Sequence, residues 1–163
     1  RILEADHVVC TIPFSVLRAV AIDLPLADAK RDAIARMRYS AATRTFLQMR
    51  TRFWDAERRP AEADAEGMLG WVNDQSPGWN TEQAVVEAYS YGRVQVIRER
   101  LDVVLPGART HCVGGASHAW TNDPWSLGAY PNFRPGDLRT LWPAAMATEA
   151  GGRLHFAGDH TSM

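Results

Sequence analysis

The chain opens on polar residues and then runs His7-Val8-Val9-Cys10-Thr11-Ile12, an apolar, β-branched stretch that Pro13 ends. A continuous run without alternation predicts a short buried strand of an α/β sheet. Phe14 to Val20 reads as a short helix, and Asp28 is placed to cap a helix to about Arg38 with Ile34 and Met37 on its inner face. From Arg44 to Trp54 the period changes to two: Thr45, Leu47 and Met49 point one way and Arg44, Phe46 and Gln48 the other, which predicts a strand. Pro60 to Gly67 is acidic and Ala-rich and reads as a surface loop. Met68 to Val72 and Ala84 to Tyr91 read as further strands across the turn-rich Asn73 to Asn80, and these three strands together predict one antiparallel sheet. Val94, Ile97, Leu101, Val104 and Leu105 recur at helical spacing before Pro106-Gly107, so a helix is predicted from about Arg93 to Leu105. Gly114 to Gly136 is dense in Gly, Pro and aromatics and reads as loops.

Composition narrows the function classes. At 163 residues with 46% hydrophobic content the chain is long enough for a real core. Eighteen basic against nineteen acidic residues leave a net charge of -1 with no basic block, which argues against nucleic acid as a partner. Cys10 and Cys112 lie far apart, form no CxxC and read as buried thiols. No run approaches the ~18 to 20 apolar residues of a membrane span and no charged-then-apolar leader opens the chain, so no membrane association and a cytoplasmic location are expected. The first residue is Arg1, and the text reads as a piece of a longer protein.

There is no GxGxxG, P-loop, GxSxG or HExxH, and the five histidines have no metal-ligand spacing, so neither a hydrolase nor a metal site is expected. His155 and His160 read as strand-end and loop residues. Two stretches remain. Gly115 to Asp137, GASHAWTNDPWSLGAYPNFRPGD, carries Trp120, Trp125, Tyr130 and Phe133 among small residues. Such a loop either walls a flat apolar ligand or pins itself to its own core, and composition does not choose between these. Near the end, Phe156-Ala157-Gly158-Asp159-His160-Thr161 allows close backbone approach and offers a carboxylate to ligand hydroxyls, or else forms an ordinary strand, turn and N-cap.

Taken together, ADHVVCTIPF, TRTFLQMRTRFW, WTNDPWSLGAYPNFRPG and GRLHFAGDHTS, in this order, resemble the flavin-dependent amine oxidase family of monoamine, polyamine and L-amino-acid oxidases. The resemblance implies an α/β fold with an α+β substrate domain: a fragment of a two-domain GR2-type FAD-dependent oxidase, its substrate-domain sheet flanked by helices. It divides the chain into 1–24 from the FAD domain, 25–109 as substrate domain and 110–163 as the flavin-facing return of the FAD domain. By matching motif positions, Asp159 is implied to bond the ribityl chain, with Ala157 and Gly158 permitting close approach and Thr161 and Ser162 near the flavin. Trp120 falls beside the isoalloxazine, and Tyr130 at one wall of the aromatic pair that channels the substrate, with Trp125 beside it. Ala129 replaces a cysteine that some members link to the cofactor, so FAD is expected to be non-covalent. Arg44 falls where many members carry a lysine that holds water at flavin N5, and a guanidinium is no substitute for a lysine that can lose a proton.

The resemblance implies oxidative deamination of a small-molecule amine or L-amino acid, with hydride passing to the flavin and O2 reoxidising it to hydrogen peroxide. A homodimer is one assembly it allows. The dinucleotide fingerprint of the family lies outside this chain, so the isolated chain is expected to be inactive. The rival from another class is a non-catalytic, substrate-domain-like binding module.

Overall fold

The computed structural model describes residues 2–56, 63–64, 69–91 and 94–162. Its elements form two compact units, one of Arg1–Ser40 with Asn122–Met163 and the other of Ala41–Thr121.

The first unit holds β1 (Val8–Cys10), α1 (Phe14–Leu17), α2 (Asp28–Arg36) and β2 (Arg38–Tyr39). The second runs from β3 (Thr43–Met49) and α3 (Phe53–Ala56) through β4 (Ala63–Asp64), β5 (Leu69–Asp74) and β6 (Ala84–Ser90) to α4 (Val94–Val104), α5 (Ala108–His111) and β7 (Cys112–Ala119). The chain then returns to the first unit with β8 (Pro131–Asn132), α6 (Asp137–Met146) and β9 (Leu154–Phe156). Helices and strands are mixed throughout, as expected of an α/β chain with an α+β sheet domain.

In the first unit β1 pairs in parallel with β9, Val9 opposite His155, and β2 pairs antiparallel with β8. The expected buried strand at His7 to Ile12 is shorter and more open: Val8 and Val9 are exposed, because β1 has β9 as its sole partner among the described residues. The helix at Asp28 forms, but Asp28 is its first residue and pairs with Arg31, while Ala27 occupies the cap position without a side-chain bond. Ala33, Ile34 and Met37 are buried with Phe14, Leu17, Ala145 and Phe156 in one core. Since α2 packs on α6, the units divide the chain differently from the segments 1–24, 25–109 and 110–163. Helix α6 itself follows Gly136, whose φ of 92° is left-handed backbone that glycine tolerates without strain.

The second unit is a five-stranded antiparallel sheet in the order β4-β5-β6-β3-β7, so the three expected strands do share one sheet. The alternation of β3 holds, with Thr45 and Met49 buried and Phe46 exposed, but the strand ends at Met49 and Phe53–Ala56 is helical. Met49, Trp54, Val86, Ile97, Leu101 and Leu105 form the core between sheet and helix, so α4 buries the face its spacing predicts. Two readings are corrected. Cys112–Ala119, expected in part as loop, is an edge strand paired with β3 along its length. A Cβ at Gly115 would lie 2.7 Å from the Phe46 carbonyl, so the residue that hid the strand is the one that lets it approach. Ala63–Asp64, inside the expected surface loop, is a strand paired with β5, and the rest of Pro60 to Gly67 lies outside the described residues.

Candidate functional site

The site residues expected from the sequence fall into three groups, one in the second unit and two in the first. In the second, Arg44, Glu87, Tyr89 and His118 share the outer face of the sheet, because Arg44 pairs with Tyr89 and His118, and Phe46 with Glu87. Arg44 Nη1 lies 3.0 Å from Glu87 Oε1, and its guanidinium carbon is 5.9 Å from the Tyr89 ring centre. Glu87 is buried, and the half-exposed Arg44 above it meets the charge of this carboxylate. Trp71 stacks on Tyr89 at 5.3 Å, and Trp120 meets His118 edge to face at 4.6 Å. The Trp120 ring is exposed, and its amide is fixed to the Ala42 carbonyl. A cavity of about 540 Å³ under α4 opens on the opposite face, lined by Thr45, Leu47, Ile97 and Ser117, so it contains none of the expected site residues.

In the first unit, the Trp125 to Tyr130 strap is pinned by its backbone. Ala129 donates to the Ser40 carbonyl and the Tyr130 carbonyl accepts from Ser40, which leaves the Tyr130 ring half-exposed and the Trp125 ring largely exposed. Gly128, at φ 146°, lies so close to Tyr39 that a Cβ would come within 2.4 Å of the Tyr39 Cβ. The Tyr39 hydroxyl accepts from the Phe14 amide, and burial, reinforced by the negative Asp159, pushes its pKa up to about 12. Tyr39 therefore relates the strap to the last group, the turn after β9.

That turn is held mainly by main-chain bonds. Ala157 donates to the Cys10 carbonyl, and the Gly158 carbonyl accepts from the Thr161 amide, the Thr161 hydroxyl at 2.8 Å and the Ser162 hydroxyl at 3.2 Å. Both hydroxyls are thus directed inward, and Asp159 projects its carboxylate to solvent, 54% exposed. Beneath it lie two buried bases. Lys30 donates to the Ala145 carbonyl at 2.7 Å and stands 3.8 Å over the Phe156 ring, and burial lowers its pKa to about 8 although Glu149 and Cys10 pull the other way. His160 packs against Phe14, and burial likewise lowers its pKa against the opposing pull of Asp159.

Sequence reasoning missed Lys30, Tyr39 and Glu87 and took His160 for a loop residue. Two of these left a trace: Lys30 sits three and four residues before Ala33 and Ile34 on the buried helix face, and Glu87 is a lone acid inside the apolar AVVEAYS. Among the described residues no group of three His, Cys, Asp or Glu could hold a metal ion, and no helix is long and apolar enough to cross a membrane.

An exposed acceptor on a main-chain-fixed turn suits a hydroxyl-bearing chain, and half-exposed rings on rigid backbone suit a planar one. Residues 1–163 match the family model of flavin containing amine oxidoreductases, and the chain belongs to that family. It is 32% identical over 179 residues to a flavin-dependent L-tryptophan oxidase of Lentzea aerocolonigenes, covering 98% of this chain and 38% of that protein. With an L-amino-acid oxidase of Siganus canaliculatus it shares 25% over 178 residues, 98% of this chain and 33% of the other. The fold matches the cyclohexylamine oxidase of Brevibacterium oxydans IH-35A with a TM-score of 0.81 at 18% identity, over 98% of this chain and 38% of that one. The chain thus spans little more than a third of the relatives it matches, and the cofactor of its family is a flavin.

Proposed function

We infer that the protein containing this chain oxidises a primary or secondary amine or an L-amino acid with non-covalently bound FAD, in the cytoplasm, and returns its electrons to O2. The match of the whole chain to the flavin containing amine oxidoreductases carries this reading. The flavin supplies the redox chemistry by accepting a hydride from the carbon that bears the amine. Asp159 accepts from cofactor hydroxyls, and Ala157 and Gly158 keep side-chain bulk away from that contact. Tyr130 and Trp125 supply ring surface that orients the substrate and excludes water, an environment in which an uncharged amine reacts, and Trp120 offers its ring to the isoalloxazine. Arg44, held by Glu87, adds a fixed positive charge that cannot serve as a base near neutral pH. No acid-base pair in this chain is needed for the transfer.

The test is a visible spectrum of the full-length protein before and after anaerobic addition of amines and L-amino acids. Bleaching of an oxidised-flavin band by one substrate class is the expected result and names that class. A colourless protein that takes up no added FAD overturns the reading and leaves a non-catalytic binding module in its place.

A further inference from the structure

The turn after β9 is built around one imidazole. His160 is 1% exposed, its ring centre lies 4.4 Å from that of Phe14, and a Cβ on Gly158 would come within 2.8 Å of its Cε1 and 3.0 Å of its Nδ1. Its Nε2 is buried without a hydrogen-bond partner. On the other side of the ring, Nδ1 lies 3.8 Å from Asp159 Oδ1, just beyond hydrogen-bond range. A neutral imidazole has one N–H to place, and an ionised carboxylate can only accept, so the proton belongs on Nδ1. The hydroxyls of Thr161 and Ser162 are both spent on the Gly158 carbonyl, so neither is directed at that carboxylate.

We propose that His160 is the positioning residue of the flavin-facing turn: its Nδ1–H donates to one oxygen of Asp159 and leaves the other aimed at a ribityl hydroxyl. The proposal rests on the reading that this turn holds FAD. Closing the 3.8 Å separation by less than about 1 Å completes the bond, a shift an exposed carboxylate makes by rotating about its own side chain. A ring that merely filled the core would need its shape and not its N–H.

Three substitutions separate these roles. His160→Asn places an amide N–H near the position of Nδ1, His160→Gln places it near Nε2, and His160→Phe keeps the ring without any N–H. FAD affinity is measured by flavin fluorescence on the reconstituted full-length apoprotein, with the melting temperature of each apo variant and the tautomer of His160 from its ¹⁵N shifts. The expected result is an Nδ1-protonated ring, FAD binding by H160N within about threefold of wild type, and binding by H160Q and H160F weaker by about tenfold, with the melting temperatures of H160N and H160Q lowered alike so that stability does not account for the difference between them. A proton on Nε2, wild-type affinity in H160F, or equal losses in H160N and H160Q overturns the proposal. If H160F does not fold, the Asn and Gln pair decides alone. Failure of the wild-type full-length protein to bind FAD sinks the flavin reading instead, and the tautomer then tests the histidine by itself.

Discussion

In the turn after β9 the main chain holds the polar groups, three donors converging on the Gly158 carbonyl, while packed rings and a buried lysine support it from below. On the outer face of the five-stranded sheet the strands are fixed by their own ladder, and the side chains hold one another through the Arg44–Glu87 pair and stacked rings. The difference predicts what each region tolerates. The turn should be indifferent to most side-chain changes at its surface and sensitive to anything that alters its packed support. The sheet face should be indifferent to packing and sensitive to charge.

The largest effect is expected at Phe14, which is fully buried and touches both Phe156 and His160. Phe14→Ala removes the ring on which the turn rests and should cost about 3 to 5 kcal/mol in denaturant unfolding. Phe46→Ala, at a 40% exposed position of the sheet face, should cost under about 1 kcal/mol. Equal losses would erase the distinction between a packed turn and an open face.

A pH dependence sharpens the same contrast, because the shifted groups lie under the turn. Lys30 titrates at about 8 in the fold against 10.5 when unfolded, so between those values the unfolded chain binds a proton that the folded chain does not. Stability should therefore rise from about pH 8 towards 10.5, with the penalty of a buried charge fully present below 8. Tyr39 acts in the opposite direction: its phenol keeps its proton to about 12 in the fold and loses it at 10 when unfolded, so stability should fall from pH 10 upwards. The groups that set Lys30 are Glu149 and Cys10 on one side and burial on the other. Melting temperatures across this range should show the rise in wild type and a flat profile up to about pH 10 in Lys30→Met. A rise that survives in K30M would mean the amine is not what is buried.

Much of the sheet was legible because its residues alternate. Thr45, Leu47 and Met49 announce their face, and α4 announces its own by helical spacing. The strand Cys112–Ala119 was not legible, since two glycines and small residues carry no alternation, and its place is set by how closely β3 can be approached. The turn at Gly158-Asp159 after a strand was legible, yet not its mechanics. The inward bonds of Thr161 and Ser162 are local to the turn, whereas the burial of His160 depends on Phe14, more than a hundred residues away in sequence, and no local pattern encodes such a contact. Glu87 was hidden for a related reason: an acid in an apolar strand declares a partner without saying which.

The most discriminating effects are expected on the Arg44 pair, where the two partners are not equivalent. Glu87 is 4% exposed and Arg44 42%, so deleting either leaves a different residue behind. Arg44→Ala strands a carboxylate that cannot reach water, which should cost about 2 to 3 kcal/mol. Glu87→Gln returns the guanidinium to solvent it already partly meets and should cost under about 1 kcal/mol. The double variant R44A/E87Q then has no stranded charge to bury, so it should be more stable than R44A alone, a non-additivity that a double-mutant cycle reads directly. A double variant as unstable as the sum of the two singles would mean that Arg44 contributes through its stack on Tyr89, and the sheet face would then be held by packing after all.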